Sequence, residues 1–296
     1  MPPLTAGYLL MLGAFACFSI MDTSAKWLAG IAVPALQVAW LRYLMHFALN
    51  TLVYVPRHGA DIMRSSAPRL QVVRAFFLLI STVLNFTALQ YLPLTITIAI
   101  FFVTPLTVCL LSIPVLGERV GVKRLAAVAT GFFGVLIIIE PWSVRFDPHV
   151  IISIAAMLSV SAYLVVSRMA AGRDSNATTQ FYISGIATVV LCPLALYFWV
   201  WPDSWQTWCL ILMIGCLGML GHSMLSHAHS LAEASVLAPT IYSQAIYVAT
   251  LSWLVFGEPP DGKTIAGTLI IVGSGLFVWL RERQLSRSIS LAQPDP

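Results

Sequence analysis

The chain repeats a short segment: VLGERVGVK at residues 115–123 returns as VFGEPPDGK at residues 255–263. Outward from this segment, residues 88–139 lie over residues 228–279 at a constant shift of 140, without a gap. Each copy is an apolar run, a Gly-Glu stop, a short polar turn and a second apolar run. Scattered apolar matches occur by chance, so the shared Gly-Glu and Lys carry the signal. A repeat of nearly half the chain predicts two similar halves, which we place at residues 1–145 and 146–296.

The composition is typical of a protein embedded in lipid. Of the 296 residues, 59% are hydrophobic and 9% are charged, whereas a soluble domain carries roughly 25% charged residues. The formal charge of +4 is spread over short loops and gives no indication of a nucleic-acid partner. The five cysteines lie in apolar runs without a CxxC pair, which favours buried reduced thiols over a disulfide framework.

Apolar runs of ~20 residues cross a bilayer, and about ten such runs fit in this chain. Turn residues such as Gly30, Pro93 and Pro141 separate them. We therefore predict an all-α integral membrane protein with ten transmembrane helices. The predicted spans are residues 5–27, 34–55, 70–90, 94–116, 121–140, 149–170, 178–201, 205–229, 235–256 and 264–284.

The basic residues of the loops and the tail predict the orientation. Eleven fall on one side of the bilayer, and only Lys26, Arg145 and Lys263 fall on the other. Because cytoplasmic loops are enriched in Lys and Arg, both termini are predicted to be cytoplasmic. Five spans in each half is an odd number, so the second half enters the membrane from the opposite side. The halves are therefore predicted to form an inverted repeat, as in many transporters.

The paired segments around Gly117-Glu118 and Gly257-Glu258, with ten spans and a basic tail, resemble the drug/metabolite transporter superfamily and its EamA-type branch. Within that branch, the chain resembles the YddG-like exporters of aromatic amino acids and methyl viologen. The resemblance covers essentially residues 5–284. It implies a 5+5 inverted repeat in a bacterial inner membrane, around a central cavity lined mainly by spans one, three, four, six, eight and nine. It also implies transport of amino acids, drugs or other metabolites.

Spans four and nine both carry prolines, and each has an aromatic residue at an equivalent position of the repeat. Pro105 and Pro239 free backbone carbonyls and can bend the helix where a cavity opens, and Tyr242 overlies Phe102 at the shift of 140. Rings with a few amide or hydroxyl groups suit an amphipathic solute. Alternatively, some of the rings face lipid or form interface belts. The candidate substrate-binding residues are Phe18, Asn85, Phe102, Tyr163, His222, Tyr242 and Gln244.

Ionisable groups inside spans are functional candidates because desolvating them is costly. Asp22 and Arg42 lie on adjacent antiparallel helices, where they can form a buried ion pair that orders two helices, or act as a gate or substrate contact. Arg74, near the inner end of span three, is expected to snorkel to the interface. His46 and Asn50, four residues apart, are expected to form hydrogen bonds between helices.

The Gly-Glu pairs have two interpretations. Gly117 and Gly257 can end helices, where a positive φ costs glycine little, with Glu118 and Glu258 near the start of the next helix, where the dipole favours negative charge. Alternatively, the glutamates form gating salt bridges with basic partners.

The histidines of span eight do not predict a metal site. His222, His227 and His229 lie close in sequence, but no acidic or Cys partner completes a ligand set, so we expect no metal and no other cofactor. His222 can bind substrate or a neighbouring helix. Ser223 could be the nucleophile of an intramembrane enzyme, but adjacent side chains on a helix point about 100° apart, and a nucleophile and its base need hydrogen-bond contact.

These patterns predict a transporter, not an enzyme, that exports aromatic or neutral amino acids or related metabolites by alternating access. No carboxylate pair lies deep in the membrane, which favours facilitated diffusion or exchange over proton coupling. Proton-coupled efflux of drugs or quaternary cations, an intramembrane serine enzyme, and a structural or sensory subunit stay open as alternatives. The expected partners are a small-molecule substrate and membrane lipid, without nucleic acid, and the protein is expected to be a monomer.

Overall fold

A computed structural model describes residues 3–117, 121–143, 146–170, 172–231 and 237–292, and all regular secondary structure in these residues is helical. Up to residue 143 the elements are α1 (Pro3–Gly30), α2 (Ala35–His58), a 3₁₀ helix (Gly59–Met63), α3 (Pro68–Ala88), α4 (Leu94–Phe101), α5 (Thr104–Leu116) and α6 (Val122–Ile139). From residue 146 they are α7 (Val150–Ala170), α8 (Asn176–Tyr197), α9 (Trp205–Leu231), a 3₁₀ helix (Ala238–Tyr242), α10 (Ser243–Leu251), a π-helical turn (Ser252–Phe256) and α11 (Gly262–Ala292).

Each of the ten predicted spans coincides with a helix or with consecutive helices. Seven are long and apolar enough to cross a membrane. The apolar parts of spans five and nine, Leu125–Ile139 and Thr240–Phe256, are shorter. α2 has 24 residues but is less apolar, because Arg42, His46 and Asn50 lie along it. The tenfold crossing of the membrane therefore stays a prediction.

The contacts between helices are those expected for two halves related by a twofold axis. α1 packs against α9, and α3 packs against α7. The repeat makes α1 equivalent to α7 and α3 equivalent to α9, so these two contacts are equivalent. α2 packs against its own counterpart α8, and α6 packs against its own counterpart α11.

The contact between α6 and α11 depends on glycine. A Cβ added at Gly134 would lie 2.8 Å from the carbonyl oxygen of Gly267, and one added at Gly267 would lie 2.6 Å from the carbonyl oxygen of Gly134. Small residues of this kind let two membrane helices approach closely enough for backbone packing. Each half therefore contributes one glycine to this contact.

Spans four and nine are interrupted at equivalent positions. α4 ends at Phe101 and α5 begins at Thr104, where Pro105 has no N–H to donate to the preceding turn. In span nine, the 3₁₀ helix that ends at Tyr242 precedes α10. Phe102 and Tyr242 lie at these interruptions with their ring centroids 5.9 Å apart. Equivalent residues contact each other only near the axis that relates the halves.

The turn between α7 and α8 is joined to the turn before α3 through Asp174, and we call this end of the bundle the Asp174 end. The Asp174 carboxylate accepts hydrogen bonds from the Ser65 hydroxyl, the Ser66 backbone N–H (2.7 Å) and the Gln71 side-chain amide (2.8 Å). Burial raises the pKa of Asp174, but these hydrogen bonds outweigh it and lower that pKa to about 2. The ionised carboxylate therefore stabilises the folded protein.

The variant Gly267→Ala is expected to lower the free energy of unfolding by about 1–3 kcal/mol, the usual cost of overpacking. Its methyl group would meet the Gly134 carbonyl oxygen at 2.6 Å. Gly273→Ala in the same helix is the control, because a Cβ there has no other atom within 4 Å. The two melting temperatures in detergent would be compared, and equal values would contradict the close approach of α6 and α11.

Asp174→Ala is expected to lower the melting temperature at pH 6, where the carboxylate is ionised in both folded and unfolded protein. The folded-state pKa is depressed to about 2, so its contribution is present above an unfolded pKa of ~3.9 and is lost as the pH falls toward 2. The gap between variant and wild type should therefore narrow below pH 4. Asp61→Ala, at a side chain 82% exposed, is the control. A gap that stays constant from pH 6 to pH 3 would refute the role of the ionised carboxylate.

Candidate functional site

Polar side chains from α1, α2, α3 and α9 meet inside the bundle around Arg42, which is 2% exposed. Its Nη2 lies 3.4 Å from His222 Nε2, its Nη1 lies 3.4 Å from Thr82 Oγ1, and its Nε lies 3.2 Å from Met21 Sδ. The guanidinium is also 4.6 Å from the centre of the Tyr43 ring. We call the following residues the polar cluster: Asp22, Arg42, His46, Thr82, Asn85 and His222.

Asp22 belongs to the polar cluster without pairing with Arg42. Its Oδ1 accepts a hydrogen bond of 3.1 Å from Asn85 Nδ2, and the ion pairs within 4 Å among the described residues do not include Asp22 with Arg42. Asp22 and Arg42 therefore form no direct ion pair in the described structure, and the other role that the sequence leaves open, a gate or substrate contact, stays a prediction. Asn85 binds the carboxylate, while Thr82 and His222 contact the guanidinium, so two opposite charges lie in one interior without neutralising each other at contact distance.

Phe18 and His222 form a half-buried wall of the polar cluster. Their ring centroids are 5.1 Å apart, and the His222 ring stacks on His46 at 5.9 Å. Gly221 makes room for Phe18, because a Cβ there would lie 2.6 Å from the Phe18 ring. Of the predicted site residues, the structure thus brings together Phe18 and His222, with Asn85 joined to them through Asp22 and Arg42.

His46 and Asn50 do not make the interhelical hydrogen bonds that the sequence predicts. His46 Nδ1 and both amide atoms of Asn50 are buried without a hydrogen-bond partner among the described residues. The helices that flank α2 present apolar groups at this depth, such as the Phe47–Phe181 ring contact to α8. The predicted hydrogen bonds are wrong, and the polar atoms face an interior that protein groups do not satisfy.

Arg74 contacts an aromatic ring of a neighbouring helix, and its snorkelling to the interface stays a prediction. Its guanidinium lies 5.5 Å from the centre of the Tyr163 ring, and its Nε is buried without a hydrogen-bond partner in the described part of the chain. The packing of α3 against α7 holds the side chain over the ring. Tyr163, a predicted binding residue, is therefore placed beside a cation.

The remaining predicted residues lie at the interrupted spans. Phe102 is 2% exposed and Gln244 is 9% exposed, so both are buried. Tyr242 is half-buried, and its hydroxyl lies against Gly275, where a Cβ would overlap with it. The Phe102–Tyr242 pair forms a second aromatic group at the axis between the halves.

At the opposite end of the bundle from Asp174, an ion pair joins α1 to span nine, and we call this the Lys26 end. Lys26 Nζ lies 2.6 Å from Glu258 Oε2 and 4.9 Å from the centre of the Phe256 ring. The Lys26 side chain is only 13% exposed, against 45% for Glu258. The pair connects residues that the sequence assigns to different halves.

Both glycines of the Gly-Glu pairs end helices as predicted, with φ of 70° at Gly117 and 67° at Gly257. Glu258 does not begin the next helix, however. α11 starts at Gly262, where the Asp261 carboxylate accepts a hydrogen bond from the Thr264 backbone N–H. Pro259 and Pro260 lie between Glu258 and the start of α11, and Glu258 forms an ion pair with Lys26 instead. Glu118 lies outside the described residues.

Two cavities lie away from the polar cluster. One of about 150 Å³ is lined by α4, α10 and α11 and includes Phe102. The other, of about 520 Å³, is a groove between α6 and α11. Arg42, His46 and Asn50 are each at most 2% exposed, so the structure shows this part of the polar cluster shielded from solvent. Among the described residues, no group of three or more His, Cys, Asp or Glu could hold a metal ion.

Sequence reasoning missed His46, Thr82 and Arg74 as parts of one interior. A signal was present for α2, because Arg42, His46 and Asn50 are spaced four residues apart and so share one face of the helix. A polar stripe on a predicted membrane helix indicates a surface turned away from lipid. No comparable spacing marks Thr82 or Lys26, whose partners lie on other helices.

Long apolar helices that enclose a polar interior, packed as two related halves, define a multi-pass membrane protein of the transporter type. The comparison with protein families makes this specific. Residues 5–140 and residues 148–280 each match the EamA-like transporter family. The chain belongs to this family, and the resemblance to the drug/metabolite transporters is confirmed.

Proteins with a similar sequence are named as transporters of small molecules. The chain is 25% identical to the S-adenosylmethionine uptake transporter of Rickettsia prowazekii, over 90% of each chain. It is 29% identical to the riboflavin transporter of Vibrio cholerae, over 95% of each chain. It is 28% identical to the pseudopaline exporter of Pseudomonas aeruginosa, over 91% of this chain and 94% of the exporter. A solved crystal structure has the same fold, with a TM-score of 0.65 and 18% identity over 95% of this chain and 99% of that one.

Proposed function

We propose that this transporter exports aromatic or neutral amino acids, or closely related metabolites, by alternating access in a facilitative or exchange mode. The observation that supports this most directly is the separation of Asp22 from Arg42 within one interior, beside the Phe18 ring. A carboxylate suits an ammonium group, a guanidinium suits a carboxylate, and a ring suits an apolar side chain. A zwitterionic amino acid presents all three features.

Alternating access requires two units that move relative to each other. We assign these units to residues 1–145 and 146–296, as an inverted repeat with both termini in the cytoplasm of a bacterium and a monomeric assembly. The reciprocal packing of equivalent helices and the charge bias of the loops support this arrangement. The names of the relatives, which cover uptake and export of small metabolites, support the class of solute.

The Lys26–Glu258 ion pair is the gate in this proposal. It joins α1 to span nine, and both of these spans belong to the predicted lining of the cavity. The π-helical turn Ser252–Phe256 ends two residues before Glu258, and π-helical segments are frequent at functional sites. Breaking the pair would let the two helices separate and open the interior at the Lys26 end.

Phe18→Ala is expected to raise the KM for the transported amino acid by about threefold to tenfold, from the loss of a ring contact worth about 0.5–1.5 kcal/mol. The assay is uptake of labelled phenylalanine, tryptophan and leucine into proteoliposomes that hold purified protein. Phe133→Ala is the matched control, because Phe133 is 58% exposed on α6. If wild type moves no amino acid of the panel above empty liposomes, the proposed function fails.

Lys26→Ala is expected to raise the rate at which a thiol reagent reacts with Met21→Cys, which lies beside Arg42, in a background without the five native cysteines. Lys263→Ala is the control, since it breaks the Lys263–Glu140 pair, which is also 2.6 Å long and lies at the same end but joins the tightly packed α6 and α11. Reversal of both charges, Lys26→Glu with Glu258→Lys, should restore the slow rate. Equal labelling in the Lys26→Ala and Lys263→Ala backgrounds would remove the gate from the proposal.

A further inference from the structure

The interior of the bundle carries more positive than negative charge. Arg42 and Arg74 lie within predicted spans two and three, and Asp22 is the carboxylate in the polar cluster. Asn85 already binds the Asp22 carboxylate. Neither arginine has an ion-pair partner within 4 Å among the described residues.

Arg42 is held by neutral groups alone. The Thr82 hydroxyl and the His222 imidazole contact it at 3.4 Å, which is long for bonds donated by a charged group, usually about 2.7–2.9 Å to oxygen, and the third contact is a thioether. A guanidinium that is 2% exposed is costly to bury without an opposite charge. The site is therefore incomplete as a structural ion pair.

The polar face of α2 also lacks hydrogen-bond partners among the described residues in the two helical turns after Arg42. His46 Nδ1 and the amide nitrogen and oxygen of Asn50 are buried and unsatisfied in the described structure, with both residues at most 1% exposed. Buried polar groups are nearly always hydrogen-bonded in folded proteins. Several unsatisfied groups on one face indicate a surface that binds something other than the protein.

Arg74, on α3, is half-buried and lies near enough to the polar cluster for its charge to act on His222. The charges of Arg42 and Arg74 both act on His222, and Arg74 Nε is buried without a partner among the described residues. Tyr163 lies under the guanidinium of Arg74, and Phe18 lies against His222. Two cations and two rings thus lie on α1, α2, α3, α7 and α9, helices that pack against one another around the polar cluster.

We infer that Arg42 and Arg74 bind a carboxylate of the solute, and that this group contributes more to recognition than an amine does. The inference rests on the proposed function, because it defines the chemistry of the solute at the same site. A guanidinium can donate two parallel hydrogen bonds to a carboxylate, and the neighbouring rings accept an aromatic substituent. Aromatic α-hydroxy acids, which have no amine, therefore belong to the substrate class together with amino acids.

The same charges disfavour a cationic solute. A quaternary cation at this site would meet two guanidinium groups, with one carboxylate that is already hydrogen-bonded. Like charges brought together in a poorly hydrated interior repel strongly. Efflux of quaternary cations, an alternative that the sequence leaves open, therefore finds no support in the geometry.

The test uses the purified full-length protein in detergent and three probes that differ by one group: L-phenylalanine, phenyllactate without the amine, and L-phenylalaninamide without the carboxylate. Ligand-induced shifts of the melting temperature give a Kd for each. Phenylalanine and phenyllactate are expected to bind, and the amide at least tenfold more weakly. Arg42→Lys, which keeps the charge but loses the planar fork, and Arg74→Gln should each weaken binding of both acids by about tenfold or more.

Arg69→Gln is the control, because this arginine is exposed at the start of α3 and its loss should leave all three Kd values unchanged. An amide that binds as well as the acids would overturn the inference, as would an absence of binding by both acids. Unchanged binding in both Arg42→Lys and Arg74→Gln would also overturn it. Transport is scored separately: acids that bind but do not cross proteoliposomes would contradict the proposed function and leave the carboxylate site standing.

Discussion

Charge inside a lipid-facing bundle is the constraint on which this structure depends. Desolvating a guanidinium in an apolar medium costs several kcal/mol, yet Arg42 is 2% exposed in the first half of α2. The fold accommodates it by turning one face of α2 toward α1, α3 and α9 and away from lipid, where Thr82 and His222 contact the side chain. The polar interior, and the solute chemistry inferred from it, follow from this arrangement.

Two further contacts join helices or residues that the repeat makes equivalent. α6 and α11 approach through Gly134 and Gly267, and Phe102 meets Tyr242 where spans four and nine are interrupted. The first contact is a tight backbone contact, and the second lies at broken helices. A tight contact between the halves and a pair of interrupted helices are features that the proposed alternating access would use.

The sequence predicted the helices well because their signals are local. Apolar runs of the right length marked the spans, and the helix ends at Gly117 and Gly257 followed from the conformational freedom of glycine. The shift of 140 also makes Phe102 equivalent to Tyr242, and these two rings are in contact in the structure. The repeat therefore carried information about the axis as well as about the fold class.

The candidate site was less predictable because side-chain partners depend on how each helix is rotated against its neighbours. The sequence left open whether Asp22 and Arg42 pair, and in the structure Asn85 binds the Asp22 carboxylate. Lys26 was not singled out as the partner of Glu258, since the two are 232 positions apart in the chain. The position of the Arg74 guanidinium over the Tyr163 ring depends on the packing of α3 on α7, which no local sequence pattern marks.

The central claim is that two equivalent halves face opposite ways around one polar interior. Ile31 and Arg173 occupy equivalent exposed turns, each following a glycine, at a shift of 142. Cysteines introduced at these two positions, in a chain without native cysteines, can be labelled on intact bacteria with a membrane-impermeant maleimide. The account predicts that Ile31→Cys reacts on intact cells and that Arg173→Cys reacts only after permeabilisation. Reaction of both positions from the same side of the membrane would contradict it.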